Sequence, residues 1–349
     1  MSRPLISCVI AVYNLSQYVA EALDSILVQR AGYGGSGQLD LEVVVVDDGS
    51  TDDLDSVIAP YLDRITFIRR TNGGVATAQN AGIRAARGKY IAMCDADDVQ
   101  HPWRLPAQVS VLERFPDVAQ VFSDLSTWVD GVVTVQSTLR DRPMGPYEDV
   151  TFDQAIDEAF GGVWTTAGEL ALPVPDDMLD RRLYRGRVPQ LIAVRHVAWT
   201  AFSMMQREAM LAMGGYDPSM KRWQDWYLSS LISQAFTTAY LDVPVALYRQ
   251  HPNQLTKRPK LGAQMQQYVT NKVWRTDMSF RAKYPERYRE LTHHAAIRLA
   301  SAHIREGEWE ESKPYLELAA RAQPARREAW TALARATVMS AVGKLRSGS

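Results

Sequence analysis

The residues best suited to chemistry are two short runs of aspartates, each placed directly after an apolar segment. The run Asp47-Asp48 follows residues 41–46, and the run Asp95-Ala96-Asp97-Asp98 follows residues 90–94. Mn²⁺ and Mg²⁺ prefer carboxylate oxygens, and a short Asp-x-Asp turn can direct such oxygens at one ion. A bound divalent ion can bridge two phosphates and neutralise a departing diphosphate. Isolated Asp-x-Asp triplets are common in exposed turns, so the position after an apolar segment is what makes this one a candidate.

Alternating apolar and amphipathic segments at the start of the chain predict a parallel α/β sheet that positions these runs. We expect strands at residues 4–12, 41–46, 65–69 and 90–94, and helices at residues 16–29, 52–62 and 76–87. The first helix is predicted to begin at a Ser16 N-cap. Ligands bind at the carboxyl ends of strands in open α/β sheets, so both aspartate runs are expected at one binding edge.

The turn after the second strand, Asp48-Gly49-Ser50-Thr51, combines a carboxylate with residues typical of turns. A carboxylate at a strand end can accept the N3–H of uracil or a ribose hydroxyl. Gly49 permits a tight turn, and Ser50 or Thr51 can cap the following helix. We therefore expect Asp48 to contact a ligand and the three residues after it to serve the local structure.

Four short motifs occur in order along the first hundred residues. They are Ala11-Val-Tyr-Asn14, Val45-Val-Asp-Asp-Gly-Ser-Thr-Asp52, Asn72-Gly-Gly with Ala78-Gln-Asn-Ala-Gly82, and Ala86-Arg-Gly-Lys-Tyr-Ile with Asp95-Ala-Asp-Asp98. Together they resemble the nucleotide-binding half of family 2 glycosyltransferases, which have the GT-A fold. The resemblance implies an α/β, Rossmann-like and mostly parallel sheet flanked by helices. It also implies a divalent metal, Mn or Mg, and inverting transfer of a sugar from a nucleotide diphosphate.

The resemblance implies a role for each matching residue. The positions expected to bind the nucleotide sugar are Val12, Tyr13 and Asn14 around the nucleobase, Asp48 on the base, Gly74 and Asn80 beside the ribose and diphosphate, and Asp95 and Ala96 near the ribose or a metal-bound water. Asp97 is expected to ligate the metal directly. UDP is the first choice of donor because an aspartate suits the N3–H of uracil, although thymine presents the same group.

One departure from the family pattern concerns the position before Asn80. Many relatives carry an arginine there, whereas this chain has Gln79. A glutamine supplies no charge to a phosphate, so the metal and other basic residues are expected to neutralise the diphosphate.

The second part of the predicted machinery is a general base for the acceptor hydroxyl. In the family a Gly-Gly-Phe/Tyr-Asp turn precedes a Glu-Asp pair at the start of a helix, and that aspartate is the base. Here the turn 214–217 is followed by Gln224-Asp225, so Asp225 is expected to be the base. Gln224 replaces the acidic neighbour by a neutral isostere. Asp225 also suits a helix cap, and the two roles are compatible.

Two tryptophans flank the predicted base, and aromatic faces stack well on sugar rings. We expect Trp223, with Gln224, to face the acceptor, while core packing at helical spacing explains a tryptophan equally well. Further along the chain, Tyr-Arg-x-His at 248–251 resembles a family element that closes over the diphosphate. Arg249 is expected to contact the nucleotide sugar and His251 the metal; a salt-bridged arginine and a buried histidine are the alternatives.

Composition limits the classes of partner and compartment. The formal charge is −1, with 39 basic and 40 acidic residues, which argues against nucleic acid as a partner. Cys8 and Cys94 lie in apolar runs and are expected to be reduced and buried. The apolar runs are too short for a signal peptide or a membrane span, so we expect a cytoplasmic protein that acts free or at the inner face of the membrane.

The chain is expected to form two parts. Residues 1–260 are predicted as the GT-A catalytic domain, with a nucleotide-sugar-binding half at 1–125 and an acceptor half at 126–260 that contains an insertion at about 139–194. Residues 261–349 are predicted as a helical region with one tetratricopeptide-like helix pair. Fewer than three such repeats do not stack alone, so these helices should pack on the catalytic domain, a second copy or a membrane surface.

Three classes of function fit the sequence to different degrees. The first is a hexosyl- or N-acetylhexosaminyltransferase that acts on a glycan, lipid-linked or protein acceptor in surface polysaccharide or glycoconjugate assembly. The second is a non-catalytic nucleotide-sugar binder or scaffold, which Gln79 and Gln224 favour. The third is a nucleotidyltransferase, which would need a glycine-rich basic loop where this chain has Ala11-Val-Tyr-Asn14.

Overall fold

The carboxyl ends of several parallel strands form one edge of a central sheet. A computed structural model describes residues 5–141, 151–194, 196–252, 254 and 258–347 of the chain. The strands are β1 (Ile6–Val12), β2 (Leu41–Asp47), β3 (Thr66–Arg69), β4 (Tyr90–Asp95), β5 (Val99–Gln100), β6 (Val118–Val129), β7 (Val132–Val135), β8 (Thr165–Thr166), β9 (Arg182–Gly186), β10 (Ser203–Gln206) and β11 (Thr237–Arg249). The 11-stranded sheet has the order β3-β2-β1-β4-β10-β6-β11-β9-β8, with β5 on β11 and β7 on β6.

Helices cover the sheet and form the C-terminal region. They are α1 (Ser16–Leu27), α2 (Leu54–Ile58), α3 (Val75–Ala85), α4 (Arg104–Arg114), α5 (Thr138–Asp141), α6 (Phe152–Phe160), α7 (Pro189–Val194), α8 (Arg207–Ala212), α9 (Gln224–Ala235), α10 (Pro259–Val269), α11 (Met278–Lys283), α12 (Pro285–Arg305), α13 (Trp309–Ala322) and α14 (Arg327–Ser347). The predicted α/β class and the helical C-terminal region are both confirmed.

The first four strands are parallel, and β1, β2 and β4 are buried as their apolar runs predict, whereas β3 lies at the sheet edge and is partly exposed. All seven residues of β2 are buried, as expected of a strand covered on both faces. Glu42 is tolerated there because Ser7 and the Arg87 backbone and guanidinium donate hydrogen bonds to its carboxylate. Cys8 and Cys94 are buried free thiols, as predicted.

The second half of the sheet is mixed. β10 runs antiparallel to both β4 and β6, whereas β11 runs parallel to β6. The end of β11 therefore lies at the same edge as the ends of β1, β2 and β4. Within the predicted insertion, β8 and β9 extend the sheet beyond β11 as an antiparallel pair. Residues 142–150 of that insertion lie outside the described part of the chain.

Two predicted helix caps are wrong. Leu15 is the N-cap of α1, Ser16 is its first residue, and no side chain caps the helix. The N-cap of α2 is Asp53, and neither Ser50 nor Thr51 reaches it. The side chains of Ser50 and Thr51 contact Asn14 instead, because the loops after β1 and β2 lie side by side.

The described chain divides into two compact units, the first of which ends at Pro252; the sequence predicted a boundary after residue 260. In the second unit, α12 packs against α13, and α13 packs against α14. Ala296, Ala319 and Ala320 are fully buried between these helices, and such small side chains permit close approach. His293 of α12 contacts both other helices: its Nδ1 lies 2.9 Å from Ala319 O of α13, and its Nε2 lies next to Glu328 of α14. No helix in the described residues is long and apolar enough to cross a membrane.

Candidate functional site

Three carboxylates meet where β4 ends. One oxygen from each of Asp95, Asp97 and Asp98 lies within 4.8 Å of the others. The strand register sets Asp95 opposite Ala11 of β1 on one side, and Asp47 opposite Val12 on the other. The parallel sheet thus brings both aspartate runs to the end of β1, as the sequence predicted.

The acidic cluster holds more negative charge than its surroundings neutralise. Burial, followed by the charges of Asp97 and Asp225, raises the pKa of Asp95 to about 8. Burial also raises the pKa of Asp98, and its two acidic neighbours add to the effect. The buried guanidinium of Arg104 lowers the pKa of Asp95 only in part. A divalent cation at this position would relieve the repulsion and the cost of burial together.

A further observation, an unsatisfied carboxylate oxygen, indicates that a metal ion fits the cluster. Asp98 Oδ1 accepts a hydrogen bond from the Arg249 backbone at 2.9 Å, whereas Asp98 Oδ2 is buried and has no hydrogen-bond partner in the described chain. Native proteins seldom leave a buried carboxylate oxygen unsatisfied. The donor set of carboxylate oxygens suits Mn²⁺ or Mg²⁺.

The end of β11 holds the acidic loop in place. Arg249 Nε donates to the Asp97 carbonyl oxygen at 2.8 Å, and its guanidinium lies 4.1 Å from the Trp128 ring centroid and pairs with Glu21. His251 Nε2 lies 2.9 Å from Asp97 Oδ2. Arg249 thus supports the cluster through its backbone and side chain. The predicted contact of Arg249 with the nucleotide sugar and ligation of the metal by His251 remain predictions.

The loop after β1 is tied to the loop after β2. Asn14 Oδ1 accepts from the Thr51 N–H at 2.8 Å, and the Asn14 N–H donates to Ser50 Oγ at 3.0 Å. The Ser16 N–H donates to Asp52 Oδ2 at 2.8 Å. Asn14 has a φ of 53°, a left-handed conformation that asparagine tolerates better than most residues. Asn14 therefore shapes the predicted nucleobase pocket by fixing these two loops.

Asp48 is occupied by the turn that precedes α3. Its two oxygens accept from the N–H groups of Gly73 and Gly74 at 3.0 and 2.7 Å, and Arg70 lies 3.2 Å away. Gly74 has a φ of 88°, and the space where a Cβ would lie is open. Asp48 thus positions Gly74 at the start of α3, and its predicted contact with a base is a proposal.

The other predicted donor contacts differ in exposure. Val12 and Ala96 are each 1% exposed and pack in the core, so only their backbones can face a ligand. Tyr13 is 47% exposed, and its ring is available for stacking. Asn80 clamps the turn before α9: its Nδ2 donates to Tyr216 O at 2.7 Å, and its Oδ1 accepts from Tyr216 N at 2.9 Å. Both polar atoms of the Asn80 amide thus bind the Tyr216 backbone, and its predicted contact with the ribose and diphosphate remains a prediction.

Asp225 lies in the first turn of α9, where the helix dipole favours a negative charge. Asp225 Oδ1 accepts from the Trp226 N–H at 2.9 Å, and Oδ2 lies 3.0 Å from His196 Nε2. The Asp225 side chain is 20% exposed. The base candidate is therefore held by the helix and remains reachable.

The two tryptophans beside Asp225 differ. Trp226 is 2% exposed, and its indole donates to Ile192 O at 2.5 Å, so it belongs to the core. Trp223 is half-buried and has a φ of 61°, and such strained backbones are concentrated at functional sites. This contrast supports the choice of Trp223, among the two, as the residue that faces the acceptor.

Gln79 and Gln224, the two residues that depart from the family pattern, contact each other. Gln224 Nε2 donates to Gln79 Oε1 at 3.3 Å, and Gln79 is 4% exposed. The family pattern implied by the resemblance has an arginine and a glutamate at these positions, whereas this chain has a neutral amide pair. Gln79 is thus a partner of Gln224, and neutralisation of the diphosphate by the metal and other basic residues remains a prediction.

This contact predicts energetic coupling between the two positions. We expect Gln79→Arg and Gln224→Glu each to lower the free energy of unfolding by about 1–3 kcal/mol, because each leaves a charge without its partner. The double variant should recover about 1 kcal/mol or more of the summed loss. Urea unfolding measures the cycle. Gln79→Arg combined with Gln38→Glu, a change in an exposed loop, is the matched control and should be additive. Additive losses in the Gln79/Gln224 cycle would contradict the pairing.

Two residues of the site were missed by the sequence analysis. Asp98 belongs to the quoted acidic run, and its position as a third carboxylate was the available signal. His196 shows no ligand spacing with carboxylates or cysteines in the sequence, so no local signal points to it. Only the fold brings it to the base.

Comparisons with known proteins indicate the family. Residues 7–165 match the family model described as glycosyl transferase family 2. An uncharacterized glycosyltransferase of Rickettsia prowazekii (strain Madrid E) is 36% identical over 111 residues, which cover 32% of this chain and 33% of that protein. One from Nostoc sp. is 39% identical over 130 residues, which cover 36% of this chain and 38% of that protein. The matches span between 15% and 38% of the length of the curated relatives.

Solved structures show the fold over almost the whole chain. Residues 1–349 of S. aureus TarS in complex with UDP-GlcNAc superpose with a TM-score of 0.62 at 12% identity, covering 99% of this chain and 92% of that one. A mannosyltransferase from Pyrobaculum calidifontis, in complex with GDP-Man and Mn2+, has a TM-score of 0.53 at 18% identity and covers 99% and 88%. The predicted GT-A fold is thereby confirmed. Residues 7–165 of the chain thus match a glycosyltransferase family 2 domain.

Proposed function

We propose that the chain is a metal-dependent inverting glycosyltransferase that moves a sugar from a nucleotide diphosphate, with UDP as the first candidate, to an acceptor hydroxyl. The observation that carries this proposal is the cluster of Asp95, Asp97 and Asp98 at the end of β4, where one oxygen of each lies within 4.8 Å of the others. The base candidate, Asp225, lies in the first turn of α9, and its side chain is 20% exposed. A single displacement needs a site for the leaving group and a base beside one sugar, and we assign the cluster and Asp225 to these two roles.

The donor side is assigned to the edge formed by β1, β2 and β4. Asp97 and Asp98, with His251 next to them, would hold a divalent ion, which when bound neutralises the diphosphate leaving group. The exposed Tyr13 ring offers a stacking face for the nucleobase. α3 begins directly after Gly74, and a helix N-terminus favours an anion.

The acceptor side is assigned to the start of α9. Asp225 takes the proton of the acceptor hydroxyl while that oxygen attacks the anomeric carbon from the face opposite the diphosphate. Trp223 supplies an aromatic face for a sugar ring, which favours a glycan or lipid-linked glycan acceptor over a bare protein hydroxyl. Hexose and N-acetylhexosamine donors are the classes to test, since the two neighbours above were solved with GDP-Man and UDP-GlcNAc.

A thermal-shift screen tests the donor assignment. We expect UDP to raise the melting temperature in Mn²⁺ and not in chelator, with dTDP and GDP giving smaller shifts. A ligand at a hundred times its Kd stabilises the native state by about 2.7 kcal/mol, which is easily measured. If no nucleoside diphosphate gives a metal-dependent shift, the proposed function is wrong. Metal-dependent UDP binding without turnover on any donor and acceptor would favour the scaffold alternative.

A further inference from the structure

His196 is the residue of the Asp225 site that the proposed function leaves unused. Its Nε2 lies 3.0 Å from Asp225 Oδ2, and its side chain is 16% exposed. Nε2 itself is buried and makes no aligned hydrogen bond in the described chain. Catalytic contacts are often misaligned before substrate binds and tighten in the complex, so this near-contact is typical of an unliganded site.

Three tryptophans surround the imidazole. The ring of His196 lies 5.8 Å from that of Trp199, 6.1 Å from that of Trp223 and 6.3 Å from that of Trp226, measured between centroids. These rings restrict the positions open to the imidazole and exclude water from one side of it. Within this enclosure, Asp225 is the polar group that the imidazole faces at contact distance.

The segment that carries His196 is fastened to α9, which carries Asp225. The Trp226 indole donates to Ile192 O at 2.5 Å, and Ser229 Oγ donates to Ala198 O at 2.8 Å. The Trp199 indole donates to the carbonyl oxygen of His196 at 2.8 Å. All three bonds end on backbone oxygens of the segment. The segment is therefore held without the His196 side chain, and changes to that side chain should leave the fold intact.

We propose that His196 is a positioning residue for Asp225: its Nε2–H orients Oδ2 so that the carboxylate presents one fixed lone pair to the acceptor hydroxyl. This inference rests on the proposed function. In the reaction, the acceptor oxygen forms a bond to the anomeric carbon, and the bond from that carbon to the diphosphate oxygen breaks with its electron pair. The acceptor proton moves to Asp225, and His196 neither gains nor loses a proton.

A positioning role differs from a structural one in how its loss combines with loss of the base. We expect His196→Ala to lower kcat about 10- to 100-fold with little change in the KM for the donor, because misplacing a reacting group costs rates of this order. His196→Gln keeps an N–H donor and should retain most of the activity. His303→Gln, a matched change in the helical unit, should leave transfer unchanged.

The decisive measurement is the cycle of His196→Ala with Asp225→Asn. If His196 acts through Asp225, the double variant should be no slower than Asp225→Asn alone, since groups that act as a unit are not additive. The proposal would be overturned if His196→Ala lowered kcat by the same factor in the wild type and in Asp225→Asn, or if the His196→Ala enzyme had the wild-type kcat. If His196→Ala has the wild-type kcat but Asp225→Asn is inactive, the proposed function still stands.

Nuclear magnetic resonance of the imidazole nitrogens provides a readout without activity. We expect the His196 signals to shift in Asp225→Asn and to stay unchanged in Asp130→Asn, an exposed change in the hairpin after β6. Unchanged signals in Asp225→Asn would show that the two side chains are not in contact and would overturn the proposal. If Asp225→Asn transfers sugar at the wild-type rate, Asp225 is not the base, and the positioning role of His196 is wrong as well.

Discussion

Replacing Asp225 by asparagine should lower the rate of sugar transfer roughly 10²- to 10⁴-fold, the usual contribution of a positioned general base. The substitution keeps the shape of the side chain, and the amide oxygen of asparagine can still accept from the Trp226 N–H. The variant should therefore fold like the wild type. What it loses is the ability to take a proton from the acceptor hydroxyl.

The binding of the donor should survive this change. The residues assigned to the nucleotide lie at the ends of β1, β2 and β4, whereas Asp225 lies at the start of α9. The metal-dependent thermal shift with UDP should stay close to that of the wild type, while kcat falls. A combined loss of shift and rate would instead assign Asp225 to donor or metal binding. A wild-type rate would place the base elsewhere.

Two controls sharpen the measurement. Asp225→Glu keeps a carboxylate at a longer reach and should retain more activity than Asp225→Asn. Asp130→Asn neutralises an exposed aspartate in the hairpin after β6 and should transfer at the wild-type rate. Equally slow Asp225→Glu and Asp225→Asn variants would instead show that the position of the carboxylate, which Trp226 and His196 contact, matters as much as its charge.

The local part of the fold was predictable because its signals are local. Val19, Leu23, Ile26 and Leu27 recur at helical spacing and are all buried on α1. Apolar runs that stop at aspartates became parallel strands whose carboxyl ends carry the acidic cluster. Here the sequence needed only periodicity and the rule that such strand ends share an edge.

The remaining features of the site depend on contacts between distant segments. Asn80 clamps Tyr216 at a separation of 136 positions, and Gln79 meets Gln224 at 145. Ser50 and Thr51 have the right chemistry for helix caps but contact Asn14, because two loops lie side by side at the sheet edge. A single sequence contains no information about such pairings. Propensity identified the residue types, and the tertiary fold decided their partners.

The neutral Gln79–Gln224 pair also bears on the choice between enzyme and scaffold. Taken one at a time, each glutamine suggested a lost catalytic charge. Taken together, they are partners in one hydrogen bond, and Asp225 lies in the first turn of the same helix with His196 beside it. The two glutamines are therefore no argument against the proposed enzyme.

The second large effect is expected at the acidic cluster. Asp97→Asn should abolish the metal-dependent thermal shift with UDP and with it the transfer of sugar. In the absence of metal the same variant should be at least as stable as the wild type, because the charge of Asp97 raises the pKa of the half-buried Asp95. The amide introduced by this substitution can still pair with His251, so the loop should keep its shape. Functional sites commonly cost stability in this way.

The dependence of metal binding on pH follows from the same pKa. The pKa of Asp95 is about 8 in the folded, metal-free chain, above its ordinary value of 3.8. The folded chain therefore keeps a proton that the unfolded chain has released, and the metal-free protein should lose stability as pH rises between these values. A metal ion must displace that proton and the proton that the raised pKa of Asp98 retains, so its affinity should rise at least tenfold per pH unit up to about pH 8.

Calorimetric titration with Mn²⁺ at several pH values, in two buffers of different ionisation enthalpy, measures both the affinity and the proton released. We expect at least one proton to be released per ion near pH 7 in the wild type, because the pKa values of both Asp95 and Asp98 are raised. Asp130→Asn should behave as the wild type, whereas Asp97→Asn should bind no ion over this range. Mn²⁺ binding by Asp97→Asn with wild-type affinity would remove Asp97 from the ligand set. An affinity independent of pH would show that the ion does not displace the proton on Asp95, and therefore that the cluster is not where it binds.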